Sequence, residues 1–218
     1  MDIPFIHRAS CTSTQDVALD MLPTTSPPFA VTADTQTAGR GQRDRVWHSV
    51  SGNLHLTVAL PWDGGDADIP AFALLLAKTL CHVIQGSIPQ ARLKLPNDIY
   101  IDDQKIAGMI TQRHGKAMLV GIGVNITHAP LPTATCLRDH GIITTGDSVA
   151  RNITRVLVAL SPIKNAKCDP HHITSHHITS HHNGGAHLLQ HFNGYTKKDL
   201  GTSIFQVSFD YVLNRCLF

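Results

Sequence analysis

The sequence predicts an α/β domain, because segments with strand and helix periodicity follow one another along the chain. Asn53–Leu60 alternates apolar and polar residues, which is typical of a half-buried strand. Asp147–Leu160 has helical spacing, with Asp147 or Ser148 as its cap. Two further strands, Ile99–Ile101 and Lys105–Gln112, flank the turn Asp102-Asp103-Gln104 and predict a β-hairpin. The 218 residues, 42% of them hydrophobic, suit one such domain with a small appendage.

The earlier elements are a short helix and a buried strand. Ser13 or Thr14 can N-cap a helix over the sequence VALDML, with Asp16 in its first turn near the positive end of the helix dipole. Prolines after that helix force a loop. Phe29–Ala33 is a short apolar run and predicts a buried strand. This strand leads into a segment rich in glycine and arginine.

The middle of the chain holds the most apolar elements. Ile69–Ile84 reads as a helix that is apolar almost all round, so we expect it to be buried on more than one side. Ala91–Leu95 predicts a strand that ends at Pro96. Ala117–Ile126 is the most apolar strand, and its two glycines indicate a place where another group approaches closely.

The sequence changes character after about residue 161. HHITSHHITSHH at His171–His182 is a tandem repeat followed by Asn-Gly-Gly. Histidine pairs can bind transition metals, but a short repeat without fixed geometry favours a mobile linker. We therefore divide the chain into a folded domain, residues 1–162, and residues 163–218, a low-complexity His-rich linker with an atypical C-terminal segment.

Charge and cysteine content exclude several classes of protein. The formal net charge of +2 argues against a dedicated nucleic-acid binder. The 5 cysteines are scattered without a CxxC pair, so neither a zinc knuckle nor a disulfide framework is indicated. The N-terminal residues lack the apolar region of a secretory signal, and no apolar run looks long enough to span a bilayer. These features predict a cytoplasmic protein.

The segment TQTAGRGQRDRVWHS, residues 35–49, is the strongest candidate for a binding loop. Gly39 and Gly41 bracket Arg40, and Arg43 and Arg45 follow at once. Glycines let the backbone pass close to a ligand, and successive N–H groups in such a loop bind anions. Guanidinium groups add donors that suit phosphate or carboxylate. From these residues alone, a solvated basic loop is equally compatible with the sequence.

Three motifs in order carry a resemblance to a known family. They are QTAGRG with a following tryptophan and GNL at Gly52–Leu54, then KLPNDIYIDDQKIAG at Lys94–Gly108, then GIGVN at Gly121–Asn125. Together they resemble the biotin protein ligase family, from about Ser13 to Asn125. The resemblance implies a mixed, largely antiparallel sheet with flanking helices, similar to that of class II aminoacyl-tRNA synthetases.

The resemblance also implies an activity. Such a ligase uses ATP and Mg²⁺ to activate biotin as biotinyl-AMP, and then transfers biotin to a lysine of a biotin carboxyl carrier domain of a carboxylase. No nucleic-acid or membrane partner is implied, and a homodimer is left open. Two alternatives remain: a lipoate or octanoate ligase on the same fold, and a catalytically impaired biotin-binding protein.

The resemblance assigns roles to individual residues. Lys94 and Arg40 are the expected catalytic residues. The expected biotin-binding residues are Ser13, Thr14, Gln15, Gln36, Gly39, Arg40, Gly41, Gln42, Lys94, Gly108 and Gly121. The expected nucleotide-binding residues are Arg43, Arg45, Trp47, Asn97, Lys105 and Asn125, and Asp98 is a candidate Mg²⁺ ligand.

Each of these roles has a structural alternative. Lys94 and Lys105 could be solvated strand lysines, and residues 13–15 could be no more than a helix cap. Asp98 could equally form an Asx turn.

Three positions depart from the family pattern. Gln42 stands where the family has a second arginine, Asp44 replaces a glycine, and Leu95 replaces a tryptophan. Gln42 keeps hydrogen bonding but loses a charge, so we expect looser retention of the adenylate. No C-terminal β domain is recognisable, and nothing resembling a helix-turn-helix precedes Ser13, so we do not expect a repressor function.

Overall fold

A computed structural model describes residues 3–161, except for the side chain of Asp44, and these residues build one seven-stranded sheet with three α-helices. The predicted His-rich linker and C-terminal segment lie outside the described residues. The division of the chain at residue 162 therefore stays a prediction.

The sheet is mixed and mostly antiparallel, as the sequence predicted. Its strand order is β1-β2-β3-β7-β6-β5-β4, and only the β1–β2 pair is parallel. The strands are β1 Phe5–Cys11, β2 Phe29–Gln36, β3 Leu54–Pro61, β4 Ala91–Lys94, β5 Asp98–Ile101, β6 Gln104–His114 and β7 Ala117–Val124. The helices are α1 Thr14–Met21, α2 Ile69–Gln85 and α3 Gly146–Leu160.

Helix α1 packs on the centre of the sheet. Its Ala18 is fully buried in a cluster with Phe29, Val31, Ala59 and Leu119, which come from β2, β3 and β7. Ser13 caps α1, since its side chain accepts a hydrogen bond from the Gln15 amide, as expected. The packing holds the N-terminus of α1 against the middle of β3.

Strand β3 is buried on both faces, so the prediction of a half-buried strand was wrong. Every residue from Leu54 to Leu60 is buried. The polar side chains on the face expected to meet water are hydrogen-bonded inside the protein: His55 to Ser49 and Thr57 to Thr14. Alternation identified the strand correctly but could not show that its polar face is covered.

Strand β1 was not predicted from the sequence. None of its residues is fully buried, and it pairs with β2 at the edge of the sheet, from Phe5 opposite Ala30 to Cys11 opposite Gln36. Such a strand depends on backbone pairing rather than on an apolar pattern. The cap of α3 also differs: Thr145, two residues before the expected cap Asp147, accepts a hydrogen bond from the Ser148 backbone amide.

Helix α2 corrects the expectation about membrane spans. Among the described residues, the 20-residue segment 66–85 alone is long and apolar enough to cross a membrane, with a mean hydropathy of 1.6. However, Phe72, Leu76, Leu80 and Ile84 of this helix are buried, and α2 packs against β4, β5, β6 and α3. A core helix of this kind passes the same test of length and composition.

Candidate functional site

A cavity of about 520 Å³ opens where the N-terminus of α1 and the Gly/Arg loop meet the centre of the sheet. Every residue with a predicted role lines it, except Gly39 and Asn125. Those that do are Ser13, Thr14, Gln15, Gln36, Arg40, Gly41, Gln42, Arg43, Arg45, Trp47, Lys94, Asn97, Asp98, Lys105, Gly108 and Gly121. The fold thus brings together segments that are up to about 100 residues apart in the chain.

The inner end of the cavity is polar, buried and uncharged. Ser13, Thr14 and Gln15 are 2%, 4% and 3% exposed. The amide and hydroxyl of Thr14 donate to Gln36 Oε1 at 2.8 and 3.2 Å, and the Thr14 and Thr57 hydroxyls are 2.9 Å apart. This end presents fixed hydrogen-bonding groups without a net charge.

Gln15 occupies a position that leaves no room for a side chain at Gly121. A Cβ at Gly121 would lie 2.5 Å from Gln15 Oε1, closer than real contacts allow. The Gln15 side chain accepts from the Thr57 hydroxyl at 3.4 Å and donates to Gln112 Oε1 at 3.5 Å. Thr57 and Gln112 were not identified from the sequence, although the strand alternation pointed to the face on which Thr57 lies.

A buried histidine, His55, is linked to the backbone of Gln36 through the hydroxyl of Ser49. The backbone amide of Gln36 donates to Ser49 Oγ at 2.7 Å, and Ser49 Oγ lies 3.0 Å from His55 Nε2. His55 Nδ1 lies 3.2 Å from the Ala33 carbonyl oxygen, which can only accept, so Nδ1 carries the proton. In the neutral ring, Nε2 then accepts from the Ser49 hydroxyl. Burial lowers the pKa of His55, against smaller opposing effects of its backbone hydrogen bonds and Asp34.

This histidine predicts a pH dependence of stability. The pKa of His55 is lower in the folded protein than the ordinary histidine pKa of about 6.5. Below pH 6.5 the unfolded chain therefore binds more protons at this residue than the folded protein does. The stabilisation is present above that pH and is lost as the pH falls towards the folded-state pKa. We expect the free energy of unfolding, measured with urea at pH 7 and pH 5, to fall less in His55→Gln than in the parent.

Exposed His48 supplies the matched control for this measurement. His48→Asn should keep the parental difference between the two pH values. An unchanged pH difference in His55→Gln would remove His55 from the explanation.

The Gly/Arg loop folds into a small hairpin, residues 39–47, which we call the arginine hairpin. The Trp47 amide donates to the Gly39 carbonyl at 2.9 Å, and the Gly41 amide donates to the Arg45 carbonyl at 2.7 Å. Arg43 lies in the turn with φ 55°, in the left-handed region. Gly39 does not line the cavity; a Cβ there would lie 2.5 Å from the Trp47 carbonyl oxygen, so its role is to let the hairpin close.

The mouth of the cavity is cationic. Arg40 donates to Asp16 Oδ1 at 2.5 Å. Among the described side chains, which do not include that of Asp44, neither Arg43 nor Arg45 has an acidic partner within 4.0 Å. Lys94, at the end of β4, places its ammonium 4.6 Å from the centre of the Tyr100 ring. Such an arrangement suits an anionic group at the mouth.

Trp47 returns from the arginine hairpin onto β7. A Cβ at Gly123 would lie 2.3 Å from the Trp47 ring, so the indole occupies space that only a glycine leaves. Lys105 Nζ lies 5.5 Å from the centre of the indole, and Trp47 Nε1 is buried without a hydrogen-bond partner among the described residues. The indole and the lysine form one wall of the cavity.

Asn97 and Asn125 are buried and act mainly on the backbone around the cavity. Asn97 lines the cavity and donates its side-chain amide to the Met109 carbonyl. The Asn125 amide donates to the carbonyls of Lys105 and Thr135 at 3.3 and 3.0 Å, so Asn125 lies behind the wall rather than in it. The sequence placed Asn125 at the ligand, whereas the structure places it in support of Lys105.

Asp98, the candidate magnesium ligand, already has a cationic partner. Its Oδ1 lies 2.7 Å from Lys105 Nζ. No group of three or more His, Cys, Asp or Glu side chains that could hold a metal occurs within the described part of the chain. One carboxylate beside an ammonium does not form a protein-held magnesium site, because Mg²⁺ would compete with Lys105 for it.

The fold and the cavity are those of an α/β domain that binds a ligand with a polar head and an anionic group. Sequence comparison assigns the family. Residues 7–127 match the Biotin/lipoate A/B protein ligase family, and the chain belongs to it.

Similar proteins include two curated relatives. A biotin–[acetyl-CoA-carboxylase] ligase of Paracoccus denitrificans is 36% identical over 126 residues, which cover 54% of this chain and 52% of the relative. The bifunctional ligase/repressor BirA of Bacillus subtilis is 33% identical over 133 residues, which cover 57% of this chain and 41% of the relative. The chain thus spans about half the length of these relatives, or less.

The fold is similar to that of a solved biotin protein ligase. The biotin protein ligase of Leishmania major, in complex with biotinyl-5-AMP, superimposes with a TM-score of 0.61 at 30% identity, covering 70% of this chain and 71% of that one.

Proposed function

We propose that this chain is an ATP-dependent biotin–carrier-protein ligase, which activates biotin as biotinyl-AMP and transfers it to a lysine. The observation that carries the proposal is the joining, in one cavity, of a buried neutral polar end to a cationic mouth. The relatives named above, and the biotinyl-5-AMP bound in the Leishmania ligase, support the same function.

The inner end suits the ureido head of biotin. Ser13, Thr14 and Gln15 offer hydroxyl and amide groups that can donate to and accept from a neutral cyclic urea. No charged side chain among them would have to be neutralised. With the head at this end, the valeryl chain points towards the mouth, and its carboxylate reaches the cationic groups.

At the mouth, the first step forms the adenylate. A biotin carboxylate oxygen attacks the α-phosphorus of ATP, and the bond to the bridging oxygen of pyrophosphate breaks. Arg40 and Lys94 line the cavity where negative charge increases in this step. Their contribution is positioning and charge stabilisation. The arginine hairpin covers the product and keeps water from the mixed anhydride.

The second step consumes the adenylate. The neutral amine of an acceptor lysine attacks the biotinyl carbonyl carbon, the bond to AMP breaks, and the amine loses a proton as the amide forms. The acceptor we propose is a biotin carboxyl carrier domain. We further propose that the protein acts in the cytoplasm without a nucleic-acid or membrane partner.

Magnesium enters this proposal only with the nucleotide. ATP carries Mg²⁺ on its phosphates, and the ion keeps several water ligands as well. The paired Asp98 adds a single carboxylate near the mouth. None of the steps above depends on a metal held by this chain.

A lipoate or octanoate ligase is the alternative within the same family. The head of either substrate is apolar and cannot satisfy the buried hydroxyls and amides of the inner end. These groups bond to one another in the ligand-free protein, and the ureido head can exchange hydrogen bonds with them, whereas an apolar head covers them without any polar contact. The inner end therefore favours biotin.

The experiment that tests the function is ATP–pyrophosphate exchange with three acids in parallel. We expect exchange that depends on biotin, and background rates with lipoate and octanoate. Exchange with lipoate or octanoate in place of biotin would assign the alternative ligase. Biotin binding without any exchange would identify an impaired binding protein.

Gly123→Ala tests the nucleotide wall. The new Cβ would meet the indole at 2.3 Å, so Trp47 must leave its place beside Lys105. Overpacking of this kind costs about 1 kcal/mol or more. We expect the KM for ATP to rise about fivefold while the KM for biotin changes less.

Gly65→Ala is the matched control for that variant, since its Cβ would have its nearest neighbour at 3.9 Å. An unaltered KM for ATP in a folded Gly123→Ala protein would contradict the assignment of this wall to the nucleotide.

A further inference from the structure

We propose that Asp16 is a positioning residue: through Arg40 it holds the arginine hairpin against α1, and so determines how long the cavity retains its anionic intermediate. This inference rests on the proposed function for its ligand, but the contact itself is present in the ligand-free protein. The sequence indicated Asp16 only as a favourable charge at a helix N-terminus.

Asp16 connects the two ends of the cavity. It follows Gln15 directly in the first turn of α1, and its Oδ1 accepts from Arg40 Nη2 at 2.5 Å. Its Oδ2 accepts from the Thr12 hydroxyl at 3.3 Å, which restricts rotation of the carboxylate. The side chain of Asp16 is 26% exposed and that of Arg40 is 52% exposed. A residue next to the buried polar end therefore holds a residue of the mouth.

The rest of the arginine hairpin has few other polar attachments. Its backbone hydrogen bonds, Trp47 to Gly39 and Gly41 to Arg45, lie within the hairpin. Of the ion pairs between described side chains, a set that excludes Asp44, Arg40–Asp16 alone joins the hairpin to another element. Trp47, which pairs with Gly39 at the base of the hairpin, adds a contact with β7. Asp16 and Trp47 therefore hold the same end of the arginine hairpin, and loss of the Asp16 contact loosens the packing of the indole.

The pairing leaves Arg40 able to bind a ligand. A guanidinium has five N–H donors, and the contact with Asp16 uses one terminal nitrogen. Arg40 lines the cavity, so its remaining donors are available to a carboxylate or phosphate there. Arg43 and Arg45 lie in the same hairpin and carry the same charge as Arg40, and Asp16 offsets their repulsion. An arginine held in place in this way loses less conformational freedom when the ligand binds.

The test compares Asp16→Asn, Asp16→Glu and the parent, with Asp20→Asn as the control. Asp20 is an exposed aspartate one turn further along the same helix, and the ion pairs of the described residues do not include it. For a partly exposed pair, we expect biotinyl-adenylate to dissociate up to about fivefold faster from Asp16→Asn. Single-turnover adenylate formation at saturating biotin and ATP should change less. Asp16→Glu should restore most of the retention, and Asp20→Asn should match the parent.

A ligand-free readout separates this inference from the proposed function. The chain has 2 tryptophans, and Trp62 is only 4% exposed, so added quenching by acrylamide reports on Trp47. We expect stronger quenching in Asp16→Asn, with a parental melting temperature. This result stands even if the protein forms no adenylate with biotin.

Three results would overturn the inference. They are parental quenching and retention in Asp16→Asn, an equal loss in retention and in the single-turnover rate, and slower dissociation from Asp16→Asn. The last would mean that Asp16 competes with the ligand for Arg40.

Discussion

Lys94→Ala is expected to form biotinyl-adenylate about 10²–10³ times more slowly than the parent, a loss of about 2.7–4 kcal/mol in transition-state stabilisation. Lys94 lines the cavity at the end of β4. In the proposed reaction, negative charge increases there between the carboxylate and the α-phosphate. A preorganised positive charge there stabilises the transition state more than the bound substrates. Single-turnover adenylate formation is the measurement.

The fold should survive this substitution. The side chain of Lys94 is exposed, and its recorded contact is the Tyr100 ring at 4.6 Å, a contribution of about 0.5–1 kcal/mol at an exposed site. Circular dichroism on the same samples should therefore be unchanged. Lys94→Arg should be a poor substitute, because a planar fork does not reproduce a compact ammonium.

Exposed Lys116, in the turn between β6 and β7, supplies the control for loss of a lysine as such. Lys116→Ala should keep the parental rate. A folded Lys94→Ala protein within a few-fold of the parental rate would remove Lys94 from the mechanism.

Gln42→Arg should retain biotinyl-adenylate longer than the parent, by about tenfold. Gln42 lines the cavity at the start of the turn in the arginine hairpin, and it occupies the position where the family resemblance expects an arginine. A charge-assisted contact contributes about 1.5–3 kcal/mol when it is desolvated, and the exposed position of Gln42 favours the lower end of that range.

The measurement is the release rate of preformed biotinyl-adenylate from both proteins. Gln90→Arg, which adds the same charge at an exposed position outside the cavity, controls for net charge. Equal release from the parent and Gln42→Arg would show that the added charge at this position makes no difference to retention.

The sequence predicted the elements that are local in the chain. The alternation in β3, the spacing in α3 and the Ser13 cap of α1 are short-range patterns, and each marked its element correctly to within a few residues. Strand β1 has no such pattern, because an edge strand with no buried residue is defined by its partner β2. Long-range pairing of this kind is invisible in a local window.

The site was predicted in its motifs but not in its supporting contacts. Glycine and arginine spacing, together with the resemblance, identified the cavity residues. Three contacts were missed, since each joins side chains 24 to 97 residues apart: Asp16 with Arg40, Gln15 with Thr57, and Gln15 with Gln112. The resemblance of the GIGVN motif assigned Asn125 to the nucleotide, and in the structure its side-chain amide bonds to backbone carbonyls behind the cavity wall.

The most direct test of the central claim is to isolate the intermediate on the protein. The chain is incubated with biotin and ATP, separated from free ligands by rapid gel filtration, and analysed by mass spectrometry after denaturation. We predict biotinyl-AMP bound to the parent, little in Lys94→Ala, and its conversion to AMP and a biotinylated lysine when a biotin carboxyl carrier domain is added. Recovery of no adenylate from the parent, or of a lipoyl or octanoyl adenylate instead when those acids compete with biotin, would contradict the account.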